Sequence, residues 1–273
     1  MSGGHAAADP PLHAGLSVQG LTYGFEGEEP LFKGLDLEVP EGQFVSIVAA
    51  SGMGKTTLFR LLAGLLQPES GTIKAAGAVQ GQLGQGVHGA IGYMPQRDCL
   101  MPWRTVLDNA AIGLELAGVP KREARRRVRE LLPELGLAGT DAKYPHELSG
   151  GMRQRVSFLR SLLAGGDLLL LDEPFSALDA MTRVSMQQWL LEVWEKHRKT
   201  ILFITHDIDE ALLLSDQVLV AASRPITKLE PLVVDLPRPR TYEATLDERF
   251  VSLKRRLLGQ LGRIASGGEG GAD

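Results

Sequence analysis

The chain reads as an α/β protein built on a parallel sheet, and three observations carry that expectation. A glycine-rich loop, Ala49-Ala50-Ser51-Gly52-Met53-Gly54-Lys55-Thr56, lies between an apolar β-prone run and a helix-like run. Short apolar strands then alternate with helical patterns from about 167 to 221. One of these strands, Leu168-Leu169-Leu170-Leu171, is apolar throughout and ends in two carboxylates, as strands covered on both faces do.

Residues 16 to 48 read as short strands, including Leu35 to Val39 before the turn Pro40-Glu41-Gly42, which predicts an antiparallel β layer leading into the strand Phe44 to Val48. The run Thr57 to Ala63 is helical in pattern and is closed by Gly64. Residues 71 to 92 hold seven glycines and read as loops around weak strands, with 80 to 86 a mobile loop. From about 104 to 164 the pattern turns helical: Val106 to Ala117, the basic amphipathic stretch Lys121 to Leu132, and a helix beginning at Ser149. This segment is expected to form a helical subdomain inserted in the α/β core. The arginines of the basic stretch, Arg122, Arg125, Arg126, Arg127 and Arg129, are read as a solvated helix face. A strand at 167 to 171, a helix near 181 to 197, a strand at 200 to 204, a helix at 208 to 214 and a strand at 217 to 221 follow. The expected division is a disordered tail over 1–15, a main domain over 16–225 and a C-terminal extension and tail over 226–273.

With 273 residues and 44% hydrophobic content the chain can bury a large core. The net charge of −4 gives no basic field to recommend nucleic acid as a partner. Cys99 is the single cysteine, which excludes an intramolecular disulfide and fits a reducing compartment. No signal peptide pattern and no apolar stretch of about 18 residues is found, so the expected location is cytoplasmic.

Two elements are suited to anions. In the glycine-rich loop, Ser51, Gly52, Met53 and Gly54 can turn backbone N–H groups toward phosphates. Lys55 can reach the β- and γ-phosphates, the Thr56 hydroxyl can ligate Mg²⁺, and Thr57 continues the helix. Ala49 departs from the G-x-x-x-x-G-K-[ST] pattern: at negative φ its methyl costs little, and at positive φ about 1–2 kcal/mol. In the second element, Ser149 is a candidate N-cap before Gly150 and Gly151, and apolar residues at 152, 156, 159 and 163 keep helical spacing. Asp172 and Glu173 end a strand at the edge of a parallel sheet where ligands bind in such folds. That position suits Asp172 to hold Mg²⁺ and Glu173 to polarise an attacking water.

The octapeptide Leu148-Ser149-Gly150-Gly151-Met152-Arg153-Gln154-Arg155 resembles the signature motif of ATP-binding cassette (ABC) transporter ATPases, and the resemblance runs over roughly residues 16 to 225. It implies a P-loop NTPase core with a parallel sheet, an N-terminal antiparallel β layer and the inserted helical subdomain. It also implies that His206 senses the γ-phosphate, that Gln96 contacts Mg²⁺ and water, and that Asp179 belongs to a loop crossing between two subunits. Phe25 fits the adenine-stacking position, with Tyr23 the alternative. In such a family each ATP pocket joins the phosphate loop of one subunit to the signature helix of another, so a second ATPase subunit, a homodimer, is implied. The apolar loop Leu100-Met101-Pro102-Trp103 is where the family docks a membrane permease, unless Trp103 folds back into the helical segment.

The wording of 100 to 109, of Tyr144-Pro145-His146-Glu147 and of Leu236-Pro237-Arg238-Pro239-Arg240 resembles importer ATPases for nitrate, sulfonates, taurine and thiamine precursors. That branch implies integral membrane permease subunits, a periplasmic or lipoprotein solute-binding protein, and a peripheral position on the cytoplasmic side of a bacterial membrane. An exporter ATPase and a soluble non-transport cassette are the competing readings.

Overall fold

The computed structural model describes residues 14–50, 52–75, 91–221 and 223–267. Strand β1 (Ala14–Tyr23) pairs antiparallel with β2 (Phe32–Pro40), and β3 (Phe44–Val48) leads through the glycine-rich loop into α1 (Lys55–Leu62). β4 (Ser70–Ala75) closes the first sheet in the order β2-β1-β4, and β5 (Ile91–Met94) opens the second. Helices α2 (Val106–Leu116), α3 (Lys121–Leu131) and α4 (Gly150–Ala164) intervene before β6 (Leu168–Asp172). Then come α5 (Ala180–His197), β7 (Thr200–Thr205), α6 (Ile208–Leu214), β8 (Gln217–Ala221), β9 (Leu229–Val233) and α7 (Glu248–Gly267).

The second sheet has the order β5-β6-β7-β3-β8-β9, parallel except for β9, which runs antiparallel to β8. Its central strands are buried on both faces, and alternate residues serve two cores. Leu169, Leu171, Ile201 and Phe203 face the core that contains α2 to α7, with Phe44 and Trp194 packed edge to face. Leu168, Leu170, Leu202 and Ile204 face the core shared with the antiparallel sheet and α1, where Phe32 and Phe59 are fully buried. This period of two explains why the run of four leucines is a strand although nothing in it is polar.

Most of the expected elements are present within a residue or two. The 80–86 loop lies outside the described residues. β1 starts at Ala14, inside the segment expected to be a tail, and Gly15 sits so close to Thr200 that a Cβ there would meet its side chain at 2.8 Å. The C-terminal extension is more structured than its reading as extension and tail: it supplies the edge strand β9 and the helix α7, whose Phe250, Leu253 and Leu257 are buried. Their i, i+3, i+7 spacing is the helical signal in the sequence. Among the described residues no helix is long and apolar enough to cross a membrane.

Candidate functional site

Parallel strands bring their C-terminal ends to one edge, and register decides what meets there. Val48 pairs with Thr205, Asp172 with Ile204, and Met94 with Leu171. The residues just beyond these ends therefore converge: the glycine-rich loop after β3, Gln96 after β5, Glu173 after β6 and His206 after β7.

In the loop, Gly52 and Gly54 have φ of 81° and 89°, a region that disfavours side chains. A Cβ on Gly54 would also lie 3.2 Å from Leu31 and 3.3 Å from Phe32. Ala49 is buried and is not among the positive-φ residues, so its methyl is accommodated without backbone strain. Gly54 caps α1 without any side-chain bond, leaving the amides of the first turn directed outward. Met53 packs on the core beside the antiparallel sheet, and Thr57 follows in the first turn of α1. Ser51 lies outside the described residues.

The Lys55 ammonium is buried and donates to the carbonyls of Ala49 at 2.8 Å and Ala50 at 3.1 Å. Burial lowers its pKa, and the carboxylates of Glu173 and Asp172 oppose that shift. Thr56 Oγ1 donates to Asp172 Oδ1 at 3.2 Å, and Tyr93 Oη donates to Oδ2 at 3.4 Å. Asp172 is 1% exposed, and burial raises its pKa above the usual carboxylate value against the Thr56 hydrogen bond. A hydroxyl beside a carboxylate, both hard oxygen donors, fits Mg²⁺, which fills its remaining positions with water and phosphate oxygens.

Glu173 stands at the centre. Its φ of 43° places it in the left-handed region, and its amide donates to the Ile204 carbonyl at 2.9 Å. A non-glycine residue held there is strained by roughly 1–2 kcal/mol, a cost met where the surrounding structure fixes the geometry. Glu173 Oε2 lies 3.3 Å from Gln96 Nε2 and 3.2 Å from His206 Nδ1. Ser176 Oγ, which accepts from Gln96 Nε2 at 3.4 Å, donates to the Glu173 carbonyl at 3.0 Å. A carboxylate, an imidazole and an amide thus meet from three strands, beside a buried ammonium and a second carboxylate. This set can bind a polyphosphate with a divalent cation and orient a water toward it.

The remaining candidates lie elsewhere. Ser149 caps α4, its Oγ accepting from the Met152 amide at 3.3 Å, and Gly151 faces Thr182, where a Cβ would approach to 3.1 Å. Asp179 caps α5 by accepting from the Thr182 amide at 3.0 Å. Gly150 lines a cleft of about 620 Å³ with Gln96, Arg153 and Ser176. Ser149 and Gly151 line another with Thr182 and Met186. Neither cleft is lined by a described residue of the glycine-rich loop. Phe25 is 43% exposed and meets Tyr23 edge to face at 5.4 Å, while Tyr23 packs on the core.

The loop after Gln96 is tied to α4. Arg153 Nε donates to Asp98 Oδ2 at 3.2 Å, and Arg160 and Ser157 donate to the Asp98 carbonyl. Trp103, 73% exposed, does not fold back into the helices. Sequence reasoning assigned no role to Tyr93, Arg183 or Glu210. Glu210 follows Asp209 and precedes the apolar run Ala211-Leu212-Leu213-Leu214, so nothing in the sequence separates this buried carboxylate from its less buried acidic neighbour.

The ABC transporter family model matches residues 32–176. The formylaminopyrimidine import ATP-binding protein of Halalkalibacterium halodurans is 41% identical over 244 residues, 89% of this chain and 94% of that protein. The taurine import ATP-binding protein of Rhizobium johnstonii is 46% identical over 217 residues, 80% of each chain. A dimeric ATP-binding cassette solved in a post-hydrolysis state with ADP and Pi superposes with a TM-score of 0.65 at 26% identity, covering 81% of this chain and all of that one. With the glycine-rich loop, the capped signature helix and the convergent strand ends in one fold, and a family match over more than half of its length, the chain belongs to the ABC transporter family.

Proposed function

We propose that the protein is the ATP-hydrolysing subunit of a bacterial importer, coupling closure and opening of a cassette dimer to solute uptake through a membrane permease. The observation that carries this reading is the meeting of Gln96, Glu173 and His206 at one sheet edge beyond the phosphate loop. Relatives named for import of formylaminopyrimidine and taurine favour an importer and a solute of that nitrogen- or sulfur-containing class.

Phosphates are held by the amides of Ser51, Gly52, Met53 and Gly54, by Lys55 and by the Thr56 and Thr57 turn, with Phe25 stacked on adenine. Thr56, Asp172 and Gln96 would hold Mg²⁺, which neutralises charge on the phosphates when bound. Glu173 accepts a proton from the attacking water or orients it, and His206, within hydrogen-bond reach of the same carboxylate oxygen, supports that water and the γ-phosphate. Lys55 moves from the carbonyls of Ala49 and Ala50 to the phosphates, exchanging dipoles for full charges.

Ser149 caps α4 ahead of Gly150 and Gly151, and in this reading they complete the ATP site of a second subunit. Asp179 lies in the loop that crosses with them. Partners in this reading are a second copy of the chain, permease subunits on the cytoplasmic face of the membrane, with which Trp103 and Leu100 engage, and a solute-binding protein outside.

Glu173→Gln tests the assignment. It keeps the side-chain shape and removes the base, so turnover falls by about 10²–10⁴ while ATP with Mg²⁺ accumulates a dimer on size-exclusion chromatography. Hydrolysis at the wild-type rate, or no ATP-dependent dimer, would refute it.

A further inference from the structure

Glu210 lies in the first turn of α6, four residues after His206, and is 5% exposed. Its Oε1 accepts from Gln187 Nε2 of α5 at 2.9 Å, and its backbone amide donates to Asp207 Oδ1 at 3.1 Å, beside the Thr205 hydroxyl. Thr205 Oγ1 in turn accepts from the Asp207 amide at 3.0 Å, so it spans His206 from both sides. Gln187 and Thr205 are 4% and 2% exposed. On α5, Arg183 donates through Nη2 to the Leu178 carbonyl at 3.1 Å, next to Asp179, and its buried Nε has no hydrogen-bond partner. Arg183 and Glu210 line one small recess together with Glu173 and His206.

A buried carboxylate is an expensive way to pack a helix, since apolar residues of the same volume are commonly as stable or more so. What it provides is direction: a side-chain hydrogen bond of fixed geometry to the helix that Asp179 caps, from a residue whose own amide is held by Asp207, the residue next to His206. We propose that Glu210 is a positioning residue that holds the His206 turn and locks it to α5, so that the His206 and Asp179 loops move as one piece. Burial raises the Glu210 carboxyl above the ordinary carboxylate value, in keeping with a group kept at a cost to the fold. The proposal rests on the assignment of His206 to the hydrolytic site.

The test is ATP hydrolysis by the purified full chain with Mg²⁺ and radiolabelled ATP, measured for wild type, Glu210→Gln, His206→Ala and the double variant. Misplacing a catalytic group by about 1 Å costs up to about 100-fold. Glu210→Gln is therefore expected to lower kcat about tenfold or more, with KM for ATP changed by less than about twofold. In the His206→Ala background the same substitution is expected to add less than about a twofold further loss, because the group it positions is already gone. Gln187→Met, which removes the α5 donor and keeps the volume, repeats the test at a second position and is expected to behave in the same non-additive way. A kcat retained within about twofold by Glu210→Gln, or losses that multiply in the double variant, overturns the proposal. Wild-type turnover in His206→Ala alone overturns the His206 assignment and the proposal with it, so the two failures are told apart.

Discussion

Glu210→Gln is expected to make the protein more stable at alkaline pH while slowing it. Burial pushes the carboxyl from its ordinary 4.5 up to about 6, against the hydrogen bonds of Thr205 and Gln187. Asp207 adds to the rise and Arg183 opposes it. A carboxyl whose folded pKa exceeds its unfolded value makes the folded state bind more protons between about 4.5 and 6. Stability therefore falls as pH rises through that window, and the cost is fully present above it. From 4.5 to about 6, at about 1.36 kcal/mol for each pH unit, the cost is about 2 kcal/mol. The substitution fixes the neutral form, so near pH 8 the variant should exceed wild type by about that amount. The two should converge below about pH 4.5. With a urea slope of about 3 kcal/mol per molar, the midpoint near pH 8 rises by roughly 0.7 M. Urea titrations of both proteins at a series of pH values check this. A variant less stable than wild type near pH 8, or a difference independent of pH, would refute the reasoning that the buried charge is a cost to folding.

Three other outcomes follow from the same geometry. Lys55→Ala removes the cation from the phosphate loop and should abolish productive ATP binding while the far-UV spectrum and unfolding midpoint stay close to wild type; ATP-dependent transport at the normal rate would contradict the site. Trp103→Ala deletes an exposed ring and should leave nucleotide binding intact while weakening permease-stimulated hydrolysis in reconstituted vesicles; unchanged stimulation would separate the loop from coupling. Arg240→Met removes the buried guanidinium that donates to the carbonyls of Leu212, Leu213, Ser215, Val234 and Leu236, of which Val234 keeps a bond from the Leu236 amide. It should destabilise the fold by on the order of 3 kcal/mol or more in urea, and a loss under about 1 kcal/mol would argue that these carbonyls find other partners.

Much of the site was legible because its pieces are local. Glycine spacing with Lys55 and Thr56, Ser149 ahead of two glycines, and Asp172-Glu173 at the end of an apolar run each state their chemistry within a few neighbours. The alternation of strand and helix from β6 to β8 could be read directly, since periods of two and of about 3.6 residues are set by backbone geometry alone. The C-terminal segment was harder. β9 contains Pro231 and has mixed polarity, as an edge strand can, and α7 announces itself only through Phe250, Leu253 and Leu257.

What the sequence by itself determined is therefore the family, the order of the elements and the residue types of the site. Only the tertiary structure decided which atoms meet. Gln96 reaches Glu173 across 77 residues and His206 reaches it across 33, through the parallel register of β5, β6 and β7. The left-handed backbone of Glu173 and the tie from Glu210 to Gln187 have no local signature, because neither arises from neighbours in sequence. Strand register and helix docking are fixed by burial summed over the whole core, so contacts between distant residues are settled when that core closes.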